Sequence, residues 1–302
     1  MMTNPDLVVV GSLGLDTITA SGERRENLLG GSVSYACAAA SFYSRPGMVA
    51  VAGRDIPDEY IKIFDDFGFD RQGLRLEDGK TFHWEGRYHD DMNQRDTICT
   101  ELNVFADFQP ELPVAYREVD HLFLANIDPE LQLHVIDQVK NPKFVVADTM
   151  DLWIDLKRER LIEVIGRVDM LTLNESEARH LTGESSLPKT AQIMLAMGPK
   201  YILIKKGEHG CMLFSRDKTA LLPAYPIEDV IDPTGAGDSF AGGLMGYITR
   251  QSRSDWATIC EALLHGTVIA SFTVEAFSLD ALHQIKDGDI EARLADYKKM
   301  LL

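Results

Sequence analysis

The sequence predicts an α/β fold: a doubly wound, mostly parallel sheet flanked by helices, with a small β-sheet lid. Three observations carry that expectation. Short apolar, β-branched runs recur with amphipathic stretches between them, several of these runs end in a polar residue, and one segment, 80–108, leaves the rhythm for polar–apolar alternation.

The runs are 7–10, 48–52, 121–125, 144–147, 170–173 and 201–204. Strands buried on both faces are apolar throughout instead of alternating, and helical crossovers between them build a parallel sheet. Asn126, Asp148, Asn174 and Lys205 stand at or just past the ends of four runs. In an open α/β sheet the carboxyl ends of the strands face the ligand crevice, so these four residues are candidates to line a site. Gly30-Gly31 opens a helix near Ser32 whose Ala36, Cys37, Ala38, Ala39 and Ala40 allow close packing. Further helices are expected at about 237–250, 255–274 and 290–299.

Within 80–108, two alternating runs, 81–88 and 97–105, flank a polar turn with Asp90, Asp91 and Asn93, the pattern of a hairpin with one wet face. A shorter excursion at 16–29 leaves the main sheet after the first strand and returns at Gly30. Together they predict the lid. No repeat or low-complexity linker interrupts the chain, so the expectation is a single domain over 1–302, with lid segments at about 16–29 and 80–108.

Composition narrows the function. Thirty Lys and Arg against 47 Asp and Glu give a net charge of −17, which disfavours nucleic acid and anionic membranes, since both need a basic face. An anionic ligand would need a local site of backbone N–H groups and a few cations. Cys37, Cys99, Cys211 and Cys260 show no C-x-x-C spacing, the eight histidines show no H-x-x-x-H spacing, and no apolar run approaches a membrane span. The N-terminal ten residues lack the basic and long apolar parts of a signal peptide, so a cytoplasmic protein with reduced thiols is expected.

The strongest local signal is Asp232-Pro233-Thr234-Gly235-Ala236-Gly237-Asp238, followed by a helical pattern. Gly235-Ala236-Gly237 allows successive N–H groups to point outward at a helix N-terminus, an anion hole. Asp238 there gains from the helix dipole and suits a base that takes a proton from an attacking hydroxyl; a simple helix cap is the alternative from these residues alone. The turn after the first strand, Gly11-Ser12-Leu13-Gly14-Leu15-Asp16, lacks G-x-G-x-x-G, and no G-x-x-x-x-G-K-[ST] is present, which disfavours a dinucleotide-dependent oxidoreductase and a P-loop enzyme.

The stretch 232–245 resembles the C-terminal signature of the PfkB (ribokinase-like) carbohydrate kinases. The resemblance continues through Gly11 and Asp16, Gly30-Gly31, Gly53 with Asp55, Asn174-x-x-Glu177 and Lys206-Gly207-x-x-Gly210. It implies an ATP-dependent phosphotransferase acting with Mg²⁺ on a hydroxyl of a sugar or nucleoside; a catalytically silent sugar sensor is the rival within the fold. By resemblance, Asp16, Gly30, Gly31 and Asn126 serve the sugar, Asp238 is the base, and Gly235, Ala236 and Gly237 donate N–H bonds to the transferring phosphoryl group. Asn174 and Glu177 position Mg²⁺ and phosphates through water, and Lys206, Gly207, Gly210 and Thr234 border the nucleotide, with 272–279 near the adenine. Asp232 marks a monovalent-cation position, for which K⁺ is the candidate, and the lid offers a homodimer contact.

There are two departures: Asn126 stands near a sugar-facing position that is acidic in ribokinases, and the other concerns Tyr35. Tyr35 stands where the family usually places a sugar-binding Asn. A single O–H and a large ring grip a free pentose less well than an amide does. The expectation is that ribose is a poor substrate and a nucleoside a better one, with the Tyr35 ring against the base and Trp84 or Tyr88 opposite; the alternative is that Tyr35 faces the core.

Overall fold

Each apolar run of the sequence becomes a strand of one sheet. The computed structural model describes residues 4–301. In chain order the strands are β1 (Leu7–Val10), β2 (Gly14–Ala20), β3 (Glu23–Gly30), β4 (Pro46–Gly53), β5 (Asp70–Glu77), β6 (His83–Tyr88), β7 (Arg95–Glu101), β8 (His121–Leu124), β9 (Phe144–Asp148), β10 (Met170–Asn174), β11 (Tyr201–Lys205), β12 (Cys211–Phe214) and β13 (Thr219–Leu222). Nine form the main sheet in the order β13-β12-β11-β10-β9-β8-β1-β4-β5. It is parallel except for β12 and β13, which fold back antiparallel at one edge.

Helices cover both faces. On one, the helices Ser32–Ser41, Ala236–Gln251 and Trp256–Thr273 contribute to an apolar cluster that includes Val33, Phe240 and Ile269. Gly242 and Gly246 let two of these helices touch backbone to backbone, because a Cβ on either would overlap the main chain of Ala36 or Ala40. On the other, the helices Pro129–Ile136, Arg158–Ile165, Glu175–Thr182 and Leu187–Ala196 cover a second cluster. The small alanines noted in the sequence thus let the helix carrying Asp238 pack closely on the helix Ser32–Ser41.

Three strands escaped the sequence reading. β5 mixes Arg71, Gln72 and Arg75 with Leu74 and Leu76, and β12–β13 form a hairpin with one partly exposed strand. β5 and β13 lie at sheet edges, where one-sided burial removes the continuous apolar signature, while β12 is a short apolar run one strand in. The run 97–105 also needs correction: β7 stops at Glu101, and 103–107 turns as a 3₁₀ segment with Phe105 packed against Phe82 and Phe108.

A second sheet, β3-β2-β6-β7, stands apart from the first. β2 runs parallel to β6, with Thr17 opposite Glu85 and Ile18 opposite Gly86. Side chains alternate across a strand, so Asp16, Ile18 and Ala20 share one face with Trp84, Gly86 and Tyr88. That face meets Phe277 and Ile231 of the body. Ser21, at the tip of the β2–β3 hairpin, donates to the carbonyls of Val230 and Ile231, each at 2.9 Å.

Candidate active site

The helix Ala236–Gln251 begins at a turn that only glycine suits. Gly235 has φ 75°, and a Cβ there would also overlap the ring of Tyr35 beneath it. The Ala236 N–H bonds the Pro233 carbonyl at 3.2 Å, so the expected row of three free donors is reduced: Gly235 and Gly237 keep N–H groups without an acceptor among the described residues, while Ala236 does not. The preceding loop is fixed by Asp232, fully buried, whose Oδ1 accepts from Thr234 N at 2.9 Å. Its Oδ2 has no partner.

Asp238 follows in the first turn of that helix. Burial, and then the charge of Asp148, push its carboxyl up to about 7, while Lys205 and Arg95 pull the other way. Such a group is partly ionised at neutral pH, the condition for a general base.

Across the cleft, the carboxyl ends of β9, β10 and β11 bring Asp148, Asn174 and Lys205 together. Thr172 lies opposite Asp148 and Asn174 opposite Lys205 in the register. Lys205 Nζ is 2.7 Å from Asp148 Oδ2. Asn174 and Glu177 form a capping box: Glu177 N donates to Asn174 Oδ1 at 2.8 Å, and Asn174 N donates to Glu177 Oε2 at 2.7 Å. The box engages one oxygen of Glu177, so capping and a water-mediated role toward Mg²⁺ are compatible. Burial and then Asp148 push the Glu177 carboxyl up to about 7, against the pull of Lys205. Among the described residues no group of three or more His, Cys, Asp or Glu is placed to hold a metal directly.

Lys206, Gly207 and Gly210 form the turn after β11, closed by Lys206 N to Gly210 O at 2.8 Å. The β6–β7 turn reaches it: a Cβ on Gly207 would overlap Asn93, whose amide approaches Glu208 at 3.5 Å. The segment 272–279 is largely buried. Phe272 and Leu279 belong to the core and Phe277 to the cluster under the second sheet, while Val274 lends its carbonyl to Ile231 and Asp232.

On the acceptor side, Asp16 rises from β2, and Gly30 must lack a side chain because a Cβ would overlap that carboxylate. Burial, then the charge of Asp232, push Asp16 up to about 8, and its Oδ1 is unpartnered. Gly31, with φ 88°, lies against the Ser12 carbonyl. Tyr35 takes its core alternative: the ring is buried under Gly235, so it offers no face to a base, although its hydroxyl is also unpartnered. Burial, then Asp232 and Asp16, push this phenol well up. Asn126 is tied by its side chain, accepting from Trp153 Nε1 at 2.9 Å and donating to Met150 Sδ at 3.1 Å. From the second sheet, Tyr88 and Thr234 hydroxyls meet at 3.1 Å.

One pair was missed as a unit, and Trp84, already a candidate to stack on a ligand or to pack under the lid, was not connected with Gly86. Asp148 and Lys205 were noted separately as strand-end residues, and only the register pairs them. Trp84 lies flat across Gly86, which has no side chain to lift it, and its indole N–H donates to Thr97 Oγ1 at 3.2 Å. A buried glycine inside an alternating strand was the signal that could have shown it.

Asp16 Oδ1, Tyr35 Oη and Asp232 Oδ2 are buried without partners and interact electrostatically with one another. A buried polar group left unpaired costs about 1–3 kcal/mol, so these three atoms are costly until something polar binds beside them.

Comparison with known proteins identifies the family. The sequence profile of "pfkB family carbohydrate kinase" matches residues 5–284. A cytidine kinase of Thermococcus kodakarensis is 32% identical over 251 residues, which cover 80% of this chain and 88% of that protein. The nucleoside kinase of Methanocaldococcus jannaschii, an archaeal member of the ribokinase family, has the same fold at a TM-score of 0.77, with 19% identity, covering 98% of this chain and 100% of that one. The ribokinase of Arabidopsis thaliana, solved with ribose and ATP, gives 0.76 at 21% identity, covering 97% and 99%. With the profile reaching from the first strand past the helix of Asp238, the chain belongs to the pfkB family of carbohydrate kinases.

Proposed function

We propose that this kinase transfers the γ-phosphoryl group of ATP to a ribose hydroxyl of a nucleoside. The observation that carries the choice of acceptor is the inner face of the second sheet. Asp16 and Trp84 precede the paired residues Thr17 and Glu85 on neighbouring strands and project from the same face. A carboxylate for sugar hydroxyls then stands beside an indole laid over Gly86, with the Arg95 guanidinium 5.8 Å from the ring centroid, and a base would stack on the indole in the place Arg95 takes. The similarity to a cytidine kinase supports the same reading.

ATP with Mg²⁺ would supply the phosphoryl group and the charge that neutralises it. Asp238 takes the proton of the attacking hydroxyl. The N–H groups of Gly235 and Gly237 and the N-terminus of their helix face the developing charge. Asn174 and Glu177 would hold Mg²⁺ through water, and Lys206, Gly207, Gly210 and Thr234 would border the nucleotide. Asp16 and the Gly30-Gly31 turn hold the sugar. Asp232, with its unpartnered oxygen, is the place for K⁺. The segments 16–29 and 80–108 act as a lid that excludes water, with Tyr88 and Asn93 as its latches.

Ile98 and Leu102, 52% and 49% exposed, support a homodimer contact on the lid. The four unpaired cysteines suit the cytoplasm, and among the described residues no helix is long and apolar enough to cross a membrane.

The test is a coupled ADP-release screen over nucleosides, free sugars, sugar acids and sugar phosphates, with the product identified by ³¹P NMR. A nucleoside 5′-monophosphate as the best product is expected. A free sugar as the best acceptor would overturn the nucleoside assignment, and no acceptor-dependent ADP release would overturn the kinase assignment.

A further inference from the structure

Lys205 is placed unlike the other strand-end residues. Its side chain is 17% exposed and that of Asp148 5%, and the two form an ion pair at 2.7 Å. Asp148 is itself fixed, since its Oδ1 accepts from Thr149 N at 2.9 Å. An ammonium carries three donors; Asp148 takes one, and the described residues provide no acceptor for the other two. Nζ also lies 3.3 Å from where a Cβ on Gly237 would stand. Nothing larger than the hydrogen of Gly237 therefore separates this cation from the turn that opens the helix of Asp238. A largely buried cation with two free donors, aimed at an anion-binding turn, is costly unless an anion completes it.

We propose that Lys205 is a catalytic residue of phosphoryl transfer, its ammonium contacting oxygens of the phosphoryl group in flight while Asp148 holds it in place. This rests on the kinase reading above. In the step, the acceptor hydroxyl gives its proton to the Asp238 carboxylate and its oxygen forms the new bond to phosphorus. The bond from phosphorus to the bridging oxygen breaks, and its electron pair stays on the β-phosphate of ADP. Lys205 keeps its proton throughout: Asp148 and Glu177 favour its charged form and outweigh the effect of burial. Its part is electrostatic, strongest where charge spreads over the equatorial oxygens. A point charge on a thin stem also suits a gap of this width better than a guanidinium would.

A bystander lysine that only balances Asp148, Glu177 and Asp238 would behave differently toward a mimic of the planar phosphoryl group. The experiment measures the affinity of ADP·Mg²⁺ with and without aluminium fluoride, in the presence of a nucleoside, for wild type, Lys205→Met, Asp148→Asn and the double variant. Wild type is expected to gain affinity from aluminium fluoride. Lys205→Met should bind ADP within about threefold of wild type, yet lose most of that gain and about 10²–10³ in kcat, the scale of removing one oxyanion donor. Because Lys205→Met strands Asp148, the double variant removes both charges and keeps the test valid if the single variant unfolds; it should lose the gain equally. Asp148→Asn, which keeps the ammonium, should retain most of it.

A full aluminium fluoride gain in Lys205→Met or the double variant would overturn the role of Lys205, as would an equal loss of ADP and ADP–fluoride affinity. A wild type with no gain and no acceptor-dependent turnover would instead overturn the kinase reading, and this role with it.

Discussion

The two ends of the cleft are built on opposite terms. At the phosphate end the carboxylates are held within the chain, Glu177 by Asn174, Asp148 by Lys205 and Asp232 by Thr234, while donors on Lys205, Gly235 and Gly237 stay open toward an anion. At the acceptor end Asp16 and Tyr35 each hold a buried polar atom that nothing in the chain satisfies, and Asp232, standing between the two ends, keeps its second oxygen free. The first arrangement is preorganised for a group common to every reaction of the family. The second is completed only by what binds, so it carries the selectivity, and its free energy changes most on binding.

That contrast can be broken or sharpened by experiment. The largest effect is expected at the junction of the two ends: Asp238→Asn should lower kcat by about 10²–10⁴ while ATP affinity stays within a few-fold, the loss expected of a general base. A variant turning over near the wild-type rate would remove Asp238 from the chemistry. Next, hydrogen exchange should separate the ends directly. A saturating nucleoside should slow exchange about tenfold or more across 80–108 and 16–29, while the β9–β11 ends change little. Equal protection at both ends would erase the distinction.

The pH dependence follows from the raised carboxyls. Asp238 acts as a base only when ionised and is held near 7, so kcat/KM should fall about tenfold per pH unit below that value. A flat profile from pH 5.5 to 8 would contradict it. The smallest effect concerns stability without ligand. Burial pushes the carboxyls of Asp16, Glu177 and Asp238 up to about 8, 7 and 7, well above the usual carboxylate range. A raised carboxyl contributes stability while protonated and loses it as pH rises through the folded value. The Tm should therefore drop by a few degrees, on the order of 2–4 °C per kcal/mol lost, between pH 6.5 and 8.5. Asp16→Asn should flatten that slope, and a Tm that rises over this window in both proteins would contradict the account.

The same contrast decides what could be read in the sequence. Gly235-Ala236-Gly237-Asp238 is contiguous, so a strand–turn–helix motif is legible without the fold, and so are the fully buried parallel strands. What the sequence hid depends on side chains brought together across strands. The Asp148–Lys205 pair needs the register of β9, β10 and β11. The core position of Tyr35 depends on Gly235, which comes 200 residues later in the chain. Ala236 was assigned a free N–H because a glycine-rich turn suggests open donors, and the loop closed that donor onto Pro233. β5 and β13 were lost because edge strands carry weak periodicity, and β12, a short apolar run one strand in, was passed over with its hairpin partner.

The claim that the lid face selects a nucleoside is tested most directly by one ratio, kcat/KM for the best nucleoside over kcat/KM for free ribose, in wild type and in Trp84→Leu. The account predicts a wild-type ratio well above tenfold, and a drop of about five- to tenfold in Trp84→Leu carried mainly by the nucleoside KM, as loss of one stacking contact of about 1 kcal/mol or more implies. Efficient ribose phosphorylation by the wild type, or a ratio unmoved by the substitution, would contradict it.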